Sequence, residues 1–333
     1  ATRGSIPKMM ELAGIDFLPA AAGIPIIRRE LVSSSFAGEI VEGLRLGILV
    51  KEWDPTGGLD PFARRLAPIG PMSGRIVASF LHGGLVVETD LDPKKQGFLF
   101  DHRIDGTPVL PGVMGIEAFA EAAAALVPGF RVAAVEDVAF RAPFKFYRDE
   151  PRAVRVEAVL RPAGEGVEAE CRLVGRRALP GQAEPQETVH FTARVRLERG
   201  EPKGETYAAV LENTGASLAA ADVYRVFFHG PAYRVLESAH KNGSGVVGLF
   251  ATPLPPNHLP DAPTLIAPRL VELSFQTAGV YELGTRGVMG LPLEVARVRA
   301  LRTPETAVGR LSAVVTPSAS GDGSFDARVV DAD

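Results

Sequence analysis

The sequence contains very little of what disulfide frameworks, cysteine-ligated metal sites and membrane spans are made from. Its 333 residues include one cysteine, Cys171. A single thiol cannot close an internal disulfide, and it excludes the cysteine-rich zinc and iron–sulfur motifs. The longest apolar runs are far shorter than the ~18 residues that a spanning helix needs, and the N-terminus lacks the charged-then-apolar pattern of a signal peptide. We therefore expect a soluble, cytoplasmic protein.

An excess of charge of one sign is also lacking. The 36 Lys and Arg residues are balanced by 40 Asp and Glu residues, which gives a formal net charge of −4, and the two signs are interspersed. Surfaces that bind nucleic acid or anionic membranes need a concentration of positive charge. The sequence therefore predicts neither kind of surface.

Glycine and proline, by contrast, are abundant. The chain has 35 Gly and 27 Pro, which divide it into short segments. Between them lie Val-rich runs of alternating polarity, most of them without a helix-length amphipathic segment in between. This organisation favours antiparallel sheets over a parallel sheet. The runs are Ala153–Leu160, Gly166–Val174, Thr188–Leu197, Gly245–Ala251 and Leu311–Thr316.

Two segments beyond residue 100 predict helices. Pro111–Val127 and Pro268–Leu283 both begin with proline, the first ends at Pro128-Gly129, and the second ends at Gly284. Proline at the first helical position and glycine just past the last are the expected start and stop signals. Because both segments are apolar nearly all round, each helix should be buried.

The order of strands, apolar helix and further strands occurs twice, around residues 73–200 and 205–333, with a polar joint at residues 198–206. This order predicts two similar units in tandem, which we divide as residues 59–200 and 201–333. Residues 1–58 differ from both and read as the tail of a preceding domain or a linker. Within them, Gly23–Leu31 predicts a helix and Leu46–Val50 predicts a strand.

His102 is the first candidate for chemistry. It lies in a Gly- and Pro-rich turn immediately before the first apolar helix. The first N–H groups of that helix have no intrahelical partner, so they can bind a developing oxyanion beside a potential base. A lone histidine is more often an ordinary packed or surface residue, and the turn is what favours a catalytic role.

Glu272 is the second candidate, because it lies inside the second apolar helix with Gln276 one turn later on the same face. A buried carboxyl should titrate high and could donate a proton near neutral pH. The alternative is that the helix turns Glu272 towards solvent. Glu117, in the first helix, is a candidate of the same kind with the same alternative.

Three motifs resemble those of one family. His102-x-x-x-Gly106-x-x-x-x-Pro111 resembles the HxxxGxxxxP motif of dehydratase domains in modular and iterative polyketide synthases. The segment 268–276 is similar to the family's PxxxDxxxQ segment, and the segment 228–233 resembles its YGPxF segment. The segment 108–120 also resembles stand-alone fatty-acid dehydratases. Residues 1–55 look like the tail of a ketoreductase domain in a polyketide or polyunsaturated-fatty-acid synthase.

The resemblance implies an α+β double hot-dog fold, with two antiparallel sheets each wrapped around a central buried helix. It implies that a 3-hydroxyacyl thioester carried on the phosphopantetheine of an acyl carrier protein loses water. His102 would take the α-proton, Glu272 would protonate the leaving β-hydroxyl, and the helix N-terminus at Gly112 would polarise the thioester carbonyl. No metal or redox cofactor is implied. The substrate-binding residues would be Gly106, Pro111, Gly112, His229, Gly230, Tyr233 and Gln276.

The implied partners are the acyl carrier protein, neighbouring synthase domains and a second copy in a homodimer. In dimeric relatives the histidine comes from one hot-dog unit and the acid from the other. In a tandem this selects Glu272 as the acid facing His102 and leaves Glu117 as a relic or a structural residue.

Two residues depart from the family pattern. Glu272 stands where the family has aspartate, and His229 stands where it has tyrosine. The first change keeps the acid with a longer reach, whereas the second puts any role carried over from that tyrosine in doubt. Two alternatives to dehydration remain. One is another hot-dog thioester enzyme, such as a product-template cyclase, an enoyl isomerase or a thioesterase, and the other is an inactive scaffold domain.

Overall fold

The chain forms two compact units in a computed structural model, one containing residues 1–64 and 78–83 and the other residues 65–77 and 84–333. The structure describes residues 5–16, 18–33, 42–46, 69–80, 84–127, 130–163, 166–178, 181–182, 185–200, 202, 206–208, 211–258, 262–321 and 323–332. The predicted domain boundaries next to residues 58 and 201 fall on residues outside this description, so they stay predictions.

Among its described residues, the first unit contains two helices and a small sheet. Helix α1 spans Ser5–Leu12 and helix α2 spans Ala20–Ser33, with Pro25 inside it. Strands β1 (Ile15–Asp16) and β2 (Arg45–Leu46) pair antiparallel. The helix expected from the sequence around residues 23–31 is confirmed within α2. Of the strand expected over residues 46–50, all but the first residue lies outside the described part.

The larger sheet of the molecule has seven strands in the order β14-β7-β10-β9-β8-β4-β3. The registers given for its strand pairs are all antiparallel. The strands are β3 (Arg75–Phe80), β4 (Gly84–Leu91), β7 (Arg131–Phe140), β8 (Arg152–Ala163), β9 (Gly166–Arg177), β10 (Gln186–Glu198) and β14 (Glu294–Val298). The sheet therefore takes one strand, β14, from the C-terminal half of the chain.

The second sheet has five strands in the order β11-β12-β13-β15-β16, again antiparallel throughout. The strands are β11 (Ser217–Ala219), β12 (Leu236–Asn242), β13 (Gly245–Phe250), β15 (Ser312–Pro317) and β16 (Phe325–Val330). A four-residue helix, Ala220–Val223, follows β11. The antiparallel sheets expected from the glycine and proline punctuation are confirmed, as are the five strands.

A long helix packs against each sheet. The helix on the seven-stranded sheet is buried nearly throughout, whereas the helix on the five-stranded sheet is only partly buried, so the expectation of burial on all sides is wrong for the second helix. The first helix is Gly112–Leu126, preceded by Pro111 at its N-cap, and the second is Pro268–Arg286. We number the helices of the larger unit α3 (Gly97–Phe100), α4 (Gly112–Leu126), α5 (Ala220–Val223) and α6 (Pro268–Arg286). No helix in the described residues is long and apolar enough to cross a membrane.

Helix α4 is surrounded by the hydrophobic core of the seven-stranded sheet. Eleven consecutive residues, Val113 to Ala123, are buried, so the helix has no solvent face over three turns. Its interior contacts include Phe119 and Ile116, which have no exposed surface. Burial on all sides explains why the sequence of this helix is apolar all round, and it also places two carboxyl groups, Glu117 and Glu121, inside the core.

Helix α6 ends later than the sequence predicts. The prediction placed its end at Leu283, before Gly284, but the helix continues to Arg286. Gly287 is the residue that ends it, with a φ of 69° and its N–H donating to the carbonyl of Leu283. The residue that ends a helix often adopts the left-handed conformation, which favours glycine. Gly284, three residues before Gly287, is still helical and does not end the helix.

Two small strands shape the turn before α4. Strand β5 (Arg103–Ile104) pairs with β6 (Thr107–Pro108), and the two residues between them, Asp105 and Gly106, have φ values of 49° and 77°. A tight hairpin with positive φ at both central positions favours glycine. Gly106 therefore closes the hairpin that returns the chain to the start of α4.

Candidate active site

Two turns meet beside α6 and bring two histidines together. His102 and His229 form an isolated antiparallel bridge. The backbone N–H of Gly230 donates to the carbonyl of Asp101 over 2.7 Å, and the N–H of Ala232 donates to the Asp101 carboxylate over 2.8 Å. A Cβ on Gly230 would lie 2.4 Å from that carboxylate, so only glycine allows this approach. Asp101, next to His102 in the chain, thus fastens one turn to the other.

The bridge places both imidazoles on the same face. Because the flanking hydrogen bond joins the neighbours of the pair, His102 and His229 occupy a non-hydrogen-bonded position, where opposite side chains are closest. Their ring centroids are 5.7 Å apart at an interplanar angle of 61°. The two histidines are more than 120 residues apart in the sequence, so no local sequence pattern indicates that they are neighbours.

His102 is buried and held in one tautomer. Its Nδ1 lies 2.8 Å from the carbonyl oxygen of Val109, which can only accept, so Nδ1 carries the proton and the lone pair is on Nε2. The side chain is 8% exposed. Burial, reinforced by the neighbouring His229, lowers the pKa of His102 to about 4, although Glu272 opposes this shift. The imidazole is therefore neutral near pH 7, with a lone pair available to take a proton.

Glu272 projects from the first turns of α6 towards His229. Its Oε1 lies 3.0 Å from Nε2 of His229, and it also accepts a hydrogen bond of 2.9 Å from Nε2 of Gln276. The carboxyl group is 6% exposed, so the alternative in which it faces solvent is wrong. The helix register that places Gln276 one turn after Glu272 produces the expected orienting contact.

The expectation that Glu272 titrates high is wrong. Burial acts to raise the pKa of Glu272, but the hydrogen bond and charge of His229 outweigh it, helped by His102 and Gln276, and the pKa is lowered. The apolar sequence of the helix predicted burial, but it does not reveal that the imidazole of His229 lies against Glu272. The carboxyl group is ionised in the resting site, with a proton on the His229 nitrogen that faces it.

Gln276 connects the Glu272 carboxylate to other residues of the C-terminal half of the chain. Its Nε2 also donates to the carbonyl oxygen of Tyr233 over 2.8 Å, and its Oε1 accepts a hydrogen bond of 2.7 Å from the hydroxyl of Tyr224. That hydroxyl accepts in turn from the N–H of Leu236 over 2.8 Å. Tyr224 was missed by the sequence analysis, because nothing in its local pattern distinguishes it from an ordinary core tyrosine.

His229 is the most constrained group of the site. It is 7% exposed, and its ring stacks on that of Phe228 with a centroid distance of 4.2 Å and an angle of 22°. Nε2 faces Glu272, whereas Nδ1 is buried and has no hydrogen-bond partner among the described residues. A buried imidazole nitrogen without a partner costs free energy, so its retention in such a position needs a functional explanation.

The remaining predicted site residues shape the walls of the site. Pro111 is the N-cap of α4, and Gly112 begins that helix, where an added Cβ would lie 2.8 Å from the Phe140 ring. The ring of Tyr233 is 6.1 Å from that of His102 and fully buried, and its hydroxyl is 3.5 Å from the amide of Asn257. The structure thus gathers His102, His229, Gly230, Tyr233, Glu272 and Gln276 into one region and leaves Gly106 in the preceding hairpin.

Glu117 takes no part in this cluster. Its two oxygens accept hydrogen bonds from the N–H groups of Leu265 and Ile266, over 2.6 and 3.0 Å. It is also hydrogen-bonded to Glu121, whose oxygens accept from the N–H of Met72. Burial raises the pKa of both carboxyl groups, and the charge of Glu117 raises that of Glu121 further. Glu117 therefore holds the loop that leads into α6.

A cavity of about 370 Å³ lies near the C-terminal end of α4. Its lining includes Ala124, Phe130, Leu265, Ala267 and Leu301. His102, His229 and Glu272 are not among the residues that line this cavity.

Two family models match the sequence. The model described as polyketide synthase dehydratase domain matches residues 71–173, and the model described as polyketide synthase dehydratase N-terminal domain matches residues 179–333. No curated protein matches the sequence.

Solved structures show the same fold. A dehydratase domain of a trans-AT polyketide synthase from Brevibacillus brevis is 20% identical, with a TM-score of 0.64 over 80% of this chain and 94% of that one. The dehydratase domain of PpsC from Mycobacterium tuberculosis is 21% identical, with a TM-score of 0.56 over 78% and 97%. An inactive Asp-to-Asn mutant of the CurK dehydratase is 16% identical, with a TM-score of 0.60 over 79% and 93%.

These similarities agree with what the residues show. Two antiparallel sheets, each with one long helix packed against it, confirm the predicted double hot-dog fold. The histidine turn lies in the part matched by the first family model and the acidic helix in the part matched by the second. Residues 71–333 of this chain belong to the dehydratase domains of polyketide synthases.

Proposed function

We propose that the substrate is a 3-hydroxyacyl thioester on the phosphopantetheine of an acyl carrier protein and that the product is the 2-enoyl thioester. The observation that carries this proposal is the placement of a neutral, buried imidazole beside a buried carboxyl group from the other half of the chain. Elimination of water needs a group that accepts the α-proton and one that supplies a proton to the β-hydroxyl. The site contains one of each.

His102 is the base in this proposal. The hydrogen bond from Nδ1 to Val109 fixes the lone pair on Nε2, and burial keeps the ring unprotonated at neutral pH. A base that is neutral before the reaction can accept the α-proton without first losing one. The α-proton leaves its carbon as the electrons move towards the Cα–Cβ bond, and His102 becomes an imidazolium.

Negative charge on the thioester oxygen is accommodated at the start of α4. Met114 and Gly115 direct their N–H groups to the carbonyl of Pro111, whereas Gly112 and Val113 stand too early in the helix for an intrahelical bond. The positive end of the helix dipole lies at the same place. The proposal assigns these N–H groups to the thioester carbonyl, which becomes electron-rich as the α-proton departs.

Glu272 is on the acid side. The two hydrogen bonds described for Glu272 both fall on Oε1, and the proposal assigns Oε2 to the hydroxyl group of the substrate. The CurK dehydratase is inactive as an Asp-to-Asn mutant, which supports a carboxyl group as an essential member of such a site. The hydroxyl leaves as water, and the enoyl product remains on the carrier.

The same proposal includes the partners. The substrate arrives on an acyl carrier protein, the chain works beside other domains of a synthase in the cytoplasm, and two copies form a homodimer. Neither step of the elimination requires a metal ion or a redox cofactor, because both are proton transfers to and from the side chains described.

The test is incubation of the protein with a panel of carrier-bound 3-hydroxyacyl thioesters of different chain length and β-configuration, followed by mass spectrometry of the carrier. Loss of the mass of one water from at least one member of the panel, with growth of an enoyl product, supports the proposal. Release of free acid would indicate a thioesterase. Unchanged substrates across the panel would contradict catalysis of dehydration.

A further inference from the structure

We propose that the acid of the reaction is the pair His229–Glu272, with the transferable proton stored on Nε2 of His229 and passed to the leaving hydroxyl through the Glu272 carboxyl group. This inference rests on the proposed function. It assigns a task to the histidine that replaces the tyrosine of the resembled family.

His229 and Glu272 are held in fixed positions relative to each other. The 3.0 Å between Nε2 and Oε1 is a hydrogen-bond distance, and both groups are more than nine-tenths buried. Phe228 stacks on one face of the His229 ring, so the imidazole cannot turn away without losing that contact. The pair is therefore a fixed unit and not a surface ion pair that forms and breaks in solvent.

The proton that the leaving hydroxyl group needs is on His229 and not on Glu272 in this proposal. Glu272 is held in its ionised form by His229, Gln276 and His102, so in the resting site it has no proton of its own to give. Of the two groups that donate a hydrogen bond to it, His229 and Gln276, only the imidazole can give up a proton, because an amide N–H is not acidic enough. An imidazolium–carboxylate pair and a neutral imidazole–carboxylic acid pair contain the same number of protons and differ by one transfer across the hydrogen bond.

Substrate binding favours transfer of the proton from His229 to Glu272. Substrate replaces water around the pair, and a drier site disfavours separated charges relative to the neutral form. The other ionisable and charged groups packed around the pair are His102, Tyr224, Tyr233, Arg234 and Arg269. The two tyrosine pKa values are raised by burial, so both hydroxyls stay neutral and do not compete for the proton.

The step balances as follows. The N–H bond of His229 breaks, the proton passes to the Glu272 carboxyl group and from it to the β-hydroxyl, and the Cβ–O bond breaks with release of water. The Cα–H bond breaks at the same stage, and its proton ends on Nε2 of His102. The site is left with neutral His229, ionised Glu272 and protonated His102. Release of the proton from His102 and uptake of one by the pair restore the resting state.

The decisive variant is His229→Gln. The glutamine amide can place an N–H near the position of Nε2 and so keep a hydrogen bond to Glu272, but it cannot carry a transferable proton. We expect kcat for a carrier-bound 3-hydroxyacyl thioester accepted by the wild type to fall by about 10²-fold or more, with KM within a few-fold. The pH dependence of kcat should also change, because the ionising pair has lost one member. Retention of kcat within about threefold and an unchanged pH profile would overturn the inference.

The matched control is His240→Gln. His240 lies in β12 of the same half of the chain, with Nε2 3.2 Å from the carbonyl of Leu211, and it is outside the site. It should keep wild-type kcat. Circular dichroism and thermal unfolding of both variants separate misfolding from lost chemistry. If His229→Gln misfolds, ¹⁵N chemical shifts of His229 in the wild-type protein decide the matter: protons on both ring nitrogens at neutral pH support the inference, and a neutral imidazole overturns it. Dehydration by the wild type alongside either negative result would refute only the role of His229, whereas an inactive wild type would refute the proposed function.

Discussion

The two long helices each bring carboxyl groups into an apolar core, yet the environments of these groups have opposite effects. On α4, Glu117 and Glu121 share a hydrogen bond, and their remaining contacts to the protein come from backbone N–H groups and a serine hydroxyl. Burial raises the pKa of both. On α6, Glu272 meets an imidazole, and its pKa is lowered.

The comparison teaches that burial alone does not identify a catalytic carboxyl group. Glu117 and Glu121 have the raised pKa values that are often associated with general acids, but their oxygens are committed to Leu265, Ile266 and Met72. Glu272 lacks the raised pKa, but it has a proton-bearing neighbour, and the two hydrogen bonds described for it fall on one oxygen. Access and a source of protons therefore matter more here than the direction of the pKa shift.

The largest expected effect is that of Glu272→Gln. The amide keeps the size of the side chain but can neither receive nor transfer a proton, so turnover should fall by about 10⁴-fold, the upper end of the contribution of one acid–base group. Steady-state assays with a carrier-bound substrate measure it. Turnover close to that of the wild type would remove Glu272 from the chemistry and erase the contrast between the two helices.

His102→Ala should lower turnover by about 10²- to 10⁴-fold while the protein stays folded. The methyl group cannot accept the α-proton, and the turn is still fastened by Asp101. The same assay, together with thermal unfolding, checks both parts of this expectation. A folded variant with near-normal rates would exclude His102 as the base.

A smaller effect, on stability, should come from Glu121→Gln. A carboxyl group whose pKa is raised above the ordinary 4.5 holds its proton in the folded protein, so its contribution to stability is fully present below about pH 4.5 and is lost as the pH rises through the raised pKa. The free energy of unfolding of the wild type should thus decrease from mildly acidic to alkaline pH, and this decrease should be shallower in the variant. Denaturant titrations at several pH values measure the slopes.

The matched control for that experiment is Glu212→Gln, at an exposed position. It should leave the slope unchanged. Glu272 should act in the opposite sense. Because its pKa is lowered from the ordinary 4.5, the stability that its carboxylate contributes is present above about pH 4.5 and is lost as the pH falls through the lowered pKa. An identical pH slope in wild type and Glu121→Gln would show that the α4 pair binds no extra proton in the folded state.

The smallest effect on activity is expected for Glu117→Gln. One of the two N–H groups of Leu265 and Ile266 loses its acceptor, which should lower the free energy of unfolding by about 1–3 kcal/mol. Turnover should stay within about threefold of the wild type, because the carboxyl group does not meet substrate. A loss larger than that of Glu272→Gln would reverse the assignment of the two helices.

The sequence by itself determined the elements and most of the candidate site. Period-two polarity between glycines and prolines predicted the strands, and apolar segments opened by proline predicted both long helices, because these signals are local. The spacing of Glu272 and Gln276 on one helix face also predicted their contact. The end of α6 was misplaced because two glycines stand within one turn, and the backbone conformation chooses between them.

Only the tertiary structure decided which groups share a site. The bridge between His102 and His229, the bond from His229 to Glu272 and the support from Tyr224 all join residues far apart in the chain, and no periodicity records them. The ionised state of Glu272 followed from that assembly, since an imidazole at 3.0 Å outweighs the burial that the sequence had predicted correctly. A pKa depends on distances and desolvation, and those quantities exist only after the two halves of the chain have packed together.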